Sequence, residues 1–122
     1  MQIEKRMVND IPIAVVTGDE CILTDTQSAL DLIMSVQYES GCSRIAMNKE
    51  AISEDFFILS TRLAGEILQK FINYGIKFSI YGDFSSYTSK PLKDFIYECN
   101  NGNDISFATD VNDAVSRLSS AY

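Results

Sequence analysis

The chain has 122 residues, 46% of them hydrophobic, with a formal net charge of −7 and an isoelectric point near 4.4. This is the size of one domain, residues 1–122, with enough apolar content to bury a core without disulfides or a metal. Its acidity argues against nucleic acid or an anionic membrane as a partner. Histidine is absent, which removes Ser-His-Asp triads, Cys-His dyads, histidine-based zinc sites and histidine phosphorelay.

Gln2 to Val8 alternates, with Ile3, Lys5 and Met7 against Gln2, Glu4 and Arg6. That predicts a strand of mixed faces at a sheet edge. Asn9-Asp10 supplies a turn, and the apolar run Ile11 to Val16 reads as a strand covered on both faces. Gly18-Asp19 ends it, and Glu20 to Leu23 adds a short extended piece. Thr24 and Gln27 have capping-box spacing, predicting a helix to about Glu39 with Ala29, Leu32, Ile33 and Val36 inward and Gly41 as its stop.

Arg44 to Met47 is the next short strand. Ser53-Glu54-Asp55 then favours a helix start, and the spacing predicts a helix over about Phe56 to Asn73. Leu59, Leu63, Ile67 and Phe71 recur in it at four-residue steps, with a fresh start available at Ser60-Thr61. Lys77 to Tyr81 is a strand. Ser89 caps a helix with Pro91 in its first turn and Leu92, Phe95, Ile96 and Cys99 inward. Asn100-Asn101-Gly102 stops that helix, and Asp104 to Ala108 is the last strand. Asp110 caps a final helix with Val111, Ala114, Val115 and Leu118 inward.

The order β-β-α-β-α-β-α-β-α predicts an α/β fold with a mostly parallel sheet of about five strands and an antiparallel first strand. Helices on so small a sheet leave room for an exposed apolar patch and a homodimer. Ligands of open parallel sheets bind beyond the strand carboxyl ends, here Thr17-Gly18-Asp19, Asn48-Lys49-Glu50, Gly82-Asp83-Phe84-Ser85 and Thr109-Asp110. The strongest ligand-binding candidates are Asp83, with Ser85 beside it and Lys90 reaching an anion at the helix start. The charged residues from Lys70 to Lys93 are Lys70, Lys77, Lys90 and Lys93 against Asp83 alone, a local excess that suits a phosphate or acidic partner or simply solvated helix ends.

The P-loop and dinucleotide glycine fingerprints are both missing, so no cofactor is implied. Cys21, Cys42 and Cys99 are widely spaced, odd in number and lack a Cys-x-x-Cys pair. With no apolar leader at Met1 to Arg6, reduced thiols and a cytoplasmic location are expected. No catalytic constellation stands out and no metal site is expected.

The stretch LAGEILQKFINYGIKFSIYGDFSSYTSKPLKDFIYECNNG, residues 63–102, resembles a small bacterial family catalogued as domain of unknown function 4180, and the likeness runs nearly the whole chain. It implies no activity. The element order is also similar to the STAS domain of anti-sigma-factor antagonists, in which a serine at the start of the second helix is phosphorylated. The matching stretch is Leu59-Ser60-Thr61-Arg62-Leu63, which makes Ser60 and Thr61 the phosphorylation candidates. Leu59 and Arg62 stand where that family has Asp and Gly. The resemblance implies a non-enzymatic interaction or regulatory module acting through a protein partner. The alternative is a small-ligand binder or enzyme around Asp83.

Overall fold

The computed structural model describes residues 1–121. Strands β1 (Gln2–Val8), β2 (Ile11–Thr17), β3 (Arg44–Asn48), β4 (Lys77–Tyr81) and β5 (Ile105–Ala108) form one sheet in that spatial order. Helices α1 (Thr26–Ser40), α2 (Leu63–Asn73), α3 (Lys90–Asn100) and α4 (Val111–Ser120) follow β2, β3, β4 and β5 in turn. β1 runs antiparallel to β2, and every other neighbouring pair is parallel, the mixed architecture expected from the sequence.

The β1–β2 hairpin closes through Asn9 and Asp10 at φ 53° and 65°. Two left-handed residues make the two-residue turn whose twist matches that of paired strands, and Asn and Asp tolerate it. Val8 and Ile11 flank the turn as partners, followed by Arg6↔Ile13, Glu4↔Val15 and Gln2↔Thr17. The pair next to such a turn exchanges both hydrogen bonds, and the pattern alternates from there. The backbones of Gln2, Glu4, Arg6 and Val8 therefore face β2, while those of Ile3, Lys5 and Met7 face outward. Pro12, which has no N–H to give, falls on the non-bonded pair with Met7, where its missing donor costs the hairpin nothing.

Sequential parallel strands joined by right-handed crossovers put the connecting helices on one face. Here Val16, Ile45, Met47, Phe78, Ile80 and Phe107 pack with Leu32, Ile33, Val36, Ile67, Phe71 and Leu92 of α1–α3. α4 is not a crossover and lies on the other face, where Ile13, Val15, Ala46 and Ala108 meet Ala114, Val115 and Leu118. Ser79 is fully buried on the α4 side, and its hydroxyl accepts from Ser106 at 2.9 Å. A single helix leaves part of this second face open. Gln2, Glu4, Arg6, Val15, Thr17, Tyr81 and Val111 line a shallow groove of about 580 Å³ there.

Two boundaries differ from the sequence expectation. α1 is capped by Asp25, not Thr24: Asp25 Oδ1 accepts from Ser28 N at 2.8 Å, and the Ser28 hydroxyl accepts from Asp25 N at 3.0 Å. A short aspartate–serine pair closes the box, and Gln27 turns instead to Asp31 at 3.0 Å.

The helix expected from Phe56 starts only at Leu63. Glu54–Phe57 and Leu59–Thr61 are tight 3₁₀ turns, and Arg62 breaks the path at φ 67°. Phe56 and Phe57 are both buried. Adjacent residues cannot share one face of a regular helix, so two short turns bury both rings where a single helix would expose one. The extended piece after Gly18 survives as a parallel bridge between Leu23 and Ile52. Among the described residues no helix is long and apolar enough to cross a membrane.

Candidate functional site

The four parallel strands end on one rim, and side chains tie its corners together. At the end of β3, Asn48 reaches the turn after β2: its Oδ1 accepts from Gly18 N at 3.1 Å and its Nδ2 donates to the Gly18 carbonyl at 2.9 Å. The next residue, Lys49, crosses the other way. Its Nζ donates to the Asp83 carbonyl at 2.7 Å after β4 and lies 4.9 Å from the Tyr87 ring centre, within cation–π range. The Lys49 stem lies so close to Gly82 that a Cβ there would come within 2.7 Å of it. That corner needs glycine because a neighbouring side chain occupies the space, a requirement the sequence alone does not reveal.

Tyr87 is held from both ends. Its ring stacks on Phe57 at 5.2 Å, and its hydroxyl donates to the Glu54 carboxylate at 3.1 Å. Burial, then the Glu54 charge, push its phenol up to about 12. Phe84 continues the aromatic row, edge-on to Phe107 of β5 at 5.5 Å. The aromatics flanking the corner thus anchor it to the core.

The structure brings Asp83 and Ser85 together and leaves Lys90 apart from them. Asp83 Oδ1 accepts from Ser85 N at 2.9 Å, and hydrogen bonding from Ser85 holds the carboxyl below the ordinary aspartate range. This is the local turn by which aspartate commonly satisfies its own loop. Lys90 instead pairs with Asp94 one turn along α3 at 2.7 Å, which raises its pKa. The cation actually set against the Asp83 corner is Lys49, from the turn that follows β3. The only sequence signal for it was its place directly after β3.

Below this corner runs an open groove of about 530 Å³ between α3 and α4. Asp83, Phe84, Ile96, Asn100, Thr109 and Arg117 are among the residues that line it. Arg117 is turned to Asp113 at 3.2 Å, and Asp113 in turn accepts from Thr109 N at 3.0 Å.

Ser60 and Thr61 lie exposed in the turn before α2. The Thr61 hydroxyl is committed: its one proton lies between the Asp55 and Ile58 carbonyls, at 2.7 and 2.8 Å, and its oxygen accepts from Leu63 N at 3.3 Å. Ser60 has no such commitment among the described residues. Cys99 is partly buried, and burial followed by the Glu98 charge pushes its thiol up to about 11, away from nucleophilic reactivity. Among the described residues no three Cys, Asp or Glu side chains cluster closely enough to hold a metal ion.

A family model described as "Domain of unknown function (DUF4180)" matches residues 8–118. No curated protein matches the chain, and no solved structure does.

Proposed function

We propose that this chain, which belongs to the family described as domain of unknown function 4180, is a non-enzymatic, STAS-like regulatory module whose protein partner docks on the rim at the strand carboxyl ends. Four successive βα units in sequential strand order, preceded by one antiparallel strand, support the STAS-like reading at the level of architecture. The observation that carries the proposal is the way polar side chains tie the corners of the rim together. Asn48 holds the Gly18 turn, Lys49 the Asp83 turn, and Glu54 the Tyr87 hydroxyl. Groups so engaged fix a surface. Asn48, Lys49 and Glu54 are thereby taken up in structure, and none of the three is left free as the base or nucleophile that a reacting centre would need.

The surface is acidic, with Asp19, Glu20, Glu50, Asp83 and Asp110 all exposed at strand ends, and it suits a basic segment of a partner protein. Ser60 is the modification point that fits this reading. A phosphate there would add about two negative charges just ahead of α2, with Arg62 two residues on. The test is affinity capture from the source cell with three baits: the native chain, Glu50→Lys/Asp83→Lys on the rim, and Glu98→Lys at the far end of α3. A protein kept by the native and Glu98→Lys baits and lost by the rim variant is the expected result. The same proteins on all three baits contradict the proposal. Phosphate on Ser60 by mass spectrometry would extend it to a switch.

A second reading is a small-ligand binder or enzyme, favoured by the groove that runs under Asp83 beside Phe84 and Arg117. Amide shifts confined to residues 82–85 and 107–109 on titration with a library of small anions and polar metabolites would support it over docking of a protein.

A further inference from the structure

The geometry points to β1 as a pairing edge for a second copy of this chain, joining the two sheets antiparallel about a twofold axis at Lys5. This stands apart from the rim reading, which concerns the strand ends.

β1 is the outermost strand of the sheet and pairs only with β2 among the described residues. The hairpin register turns the N–H and C=O groups of Ile3, Lys5 and Met7 away from β2. An edge of this length with an unpaired row of donors and acceptors is a template for another strand. Among the described residues the one seven-residue strand besides β2 is β1 itself.

The side chains choose the register. Two β1 strands can meet antiparallel with Lys5 opposite Lys5, which puts Ile3 opposite the second copy's Met7 and Glu4 opposite its Arg6. All outward-facing backbone groups then pair in kind. Moving the axis to Glu4 or to Arg6 keeps the bonding pattern but sets carboxylate against carboxylate, or guanidinium against guanidinium. Directly opposite like charges destabilise a strand pair, and opposite charges stabilise it.

Within one copy Arg6 Nε already donates to Glu4 Oε1 at 2.7 Å. Its side chain therefore lies along the edge on the same face as Glu4, where pairing would build a four-charge cluster across the axis. On the other face Met7 is 61% exposed and would be covered by the second copy's Ile3. The Lys5 pair on the axis is the opposing feature. Its long stems can splay into solvent, and it limits the strength of the dimer without changing its register.

The experiment is sedimentation equilibrium of the whole chain from about 1 to 500 μM, a range set by the weak affinities typical of small interfaces. The mass is expected to rise from the 13.6 kDa of one copy to twice that value. Lys5→Pro removes only an outward N–H and is expected to weaken association at least about 10-fold. Glu4→Arg sets Arg against Arg and is expected to weaken it to a similar degree. The swap Glu4→Arg/Arg6→Glu restores the cross-axis pairs and should recover association to within about 3-fold of the native chain. Circular dichroism checks each variant. Should Lys5→Pro fail to fold, the charge-reversal pair decides. A single 13.6 kDa species throughout, or a dimer indifferent to both Glu4→Arg and the swap, overturns the proposal.

Discussion

On the β5 edge, the side-chain amide of Asn100 does what a further strand would do: its Oδ1 accepts from Phe107 N at 2.7 Å and its Nδ2 donates to the Phe107 carbonyl at 3.2 Å. On the β1 edge, Ile3, Lys5 and Met7 receive no such partner among the described residues. β5 has four residues and β1 has seven, and that difference explains the two outcomes. One helix-end amide, delivered by the last residue of α3, satisfies both outward backbone groups of Phe107 within this short edge. A seven-residue antiparallel edge offers more outward groups than a single side chain can reach, and they are left to water or to another strand. The sheet is thus capped at Phe107 on one side from within and left able to grow on the other.

The largest effect is expected from removing the closure. Asn100→Ala leaves the N–H and carbonyl of buried Phe107 without partners, which should cost about 2–3 kcal/mol in chemical denaturation. It should also make β5 prone to pairing, seen as light scattering that grows with concentration. A loss under about 0.5 kcal/mol would mean that water replaces the amide and that the two edges differ less than the geometry indicates.

A smaller effect is expected from alkali, again on the β5 side, where the row of Tyr87, Phe57, Phe84 and Phe107 sits. The Tyr87 phenol titrates near 10 when unfolded and about 12 when folded. Between those values the folded chain binds more protons than the unfolded one, so stability falls as pH rises through the window. With the partial exposure of Tyr87 discounted, about 1 kcal/mol should be lost. Tyr87→Phe should flatten that loss in denaturation curves taken at pH 9 and 11.5.

The smallest effect on stability belongs to β1. Lys5→Pro should leave the dilute, single-copy chain within about 0.5–1 kcal/mol of the native value, because the lost N–H faces outward. A cost of several kcal/mol would mean that this N–H is already engaged within one copy.

The open edge was legible in the sequence and the closed one was not. Alternation over residues 2–8 and the Asn9-Asp10 turn mark a hairpin strand directly, because both signals are local. Asn100 read only as a helix stop, since nothing in its neighbourhood shows that its amide folds back seven residues onto β5. The rim shows the same division. The corner at Gly82-Asp83 and its Ser85 turn are written in consecutive residues, whereas Lys49 reaches that corner from 34 positions away. Lys90, at the start of α3, found Asp94 on its own helix instead. Phe56 and Phe57 misled the periodicity for a physical reason: both belong to the core, and the chain bent out of helical geometry to bury them.

Amide hydrogen exchange, followed residue by residue as the concentration is raised, tests the difference between the edges most directly. Protection at Ile3, Lys5 and Met7 is expected to grow with concentration, while Glu4 and Arg6, bonded to β2, and Phe107, bonded to Asn100, stay protected and unchanged. Ile3, Lys5 and Met7 exchanging at the open-chain rate at every concentration would contradict the account.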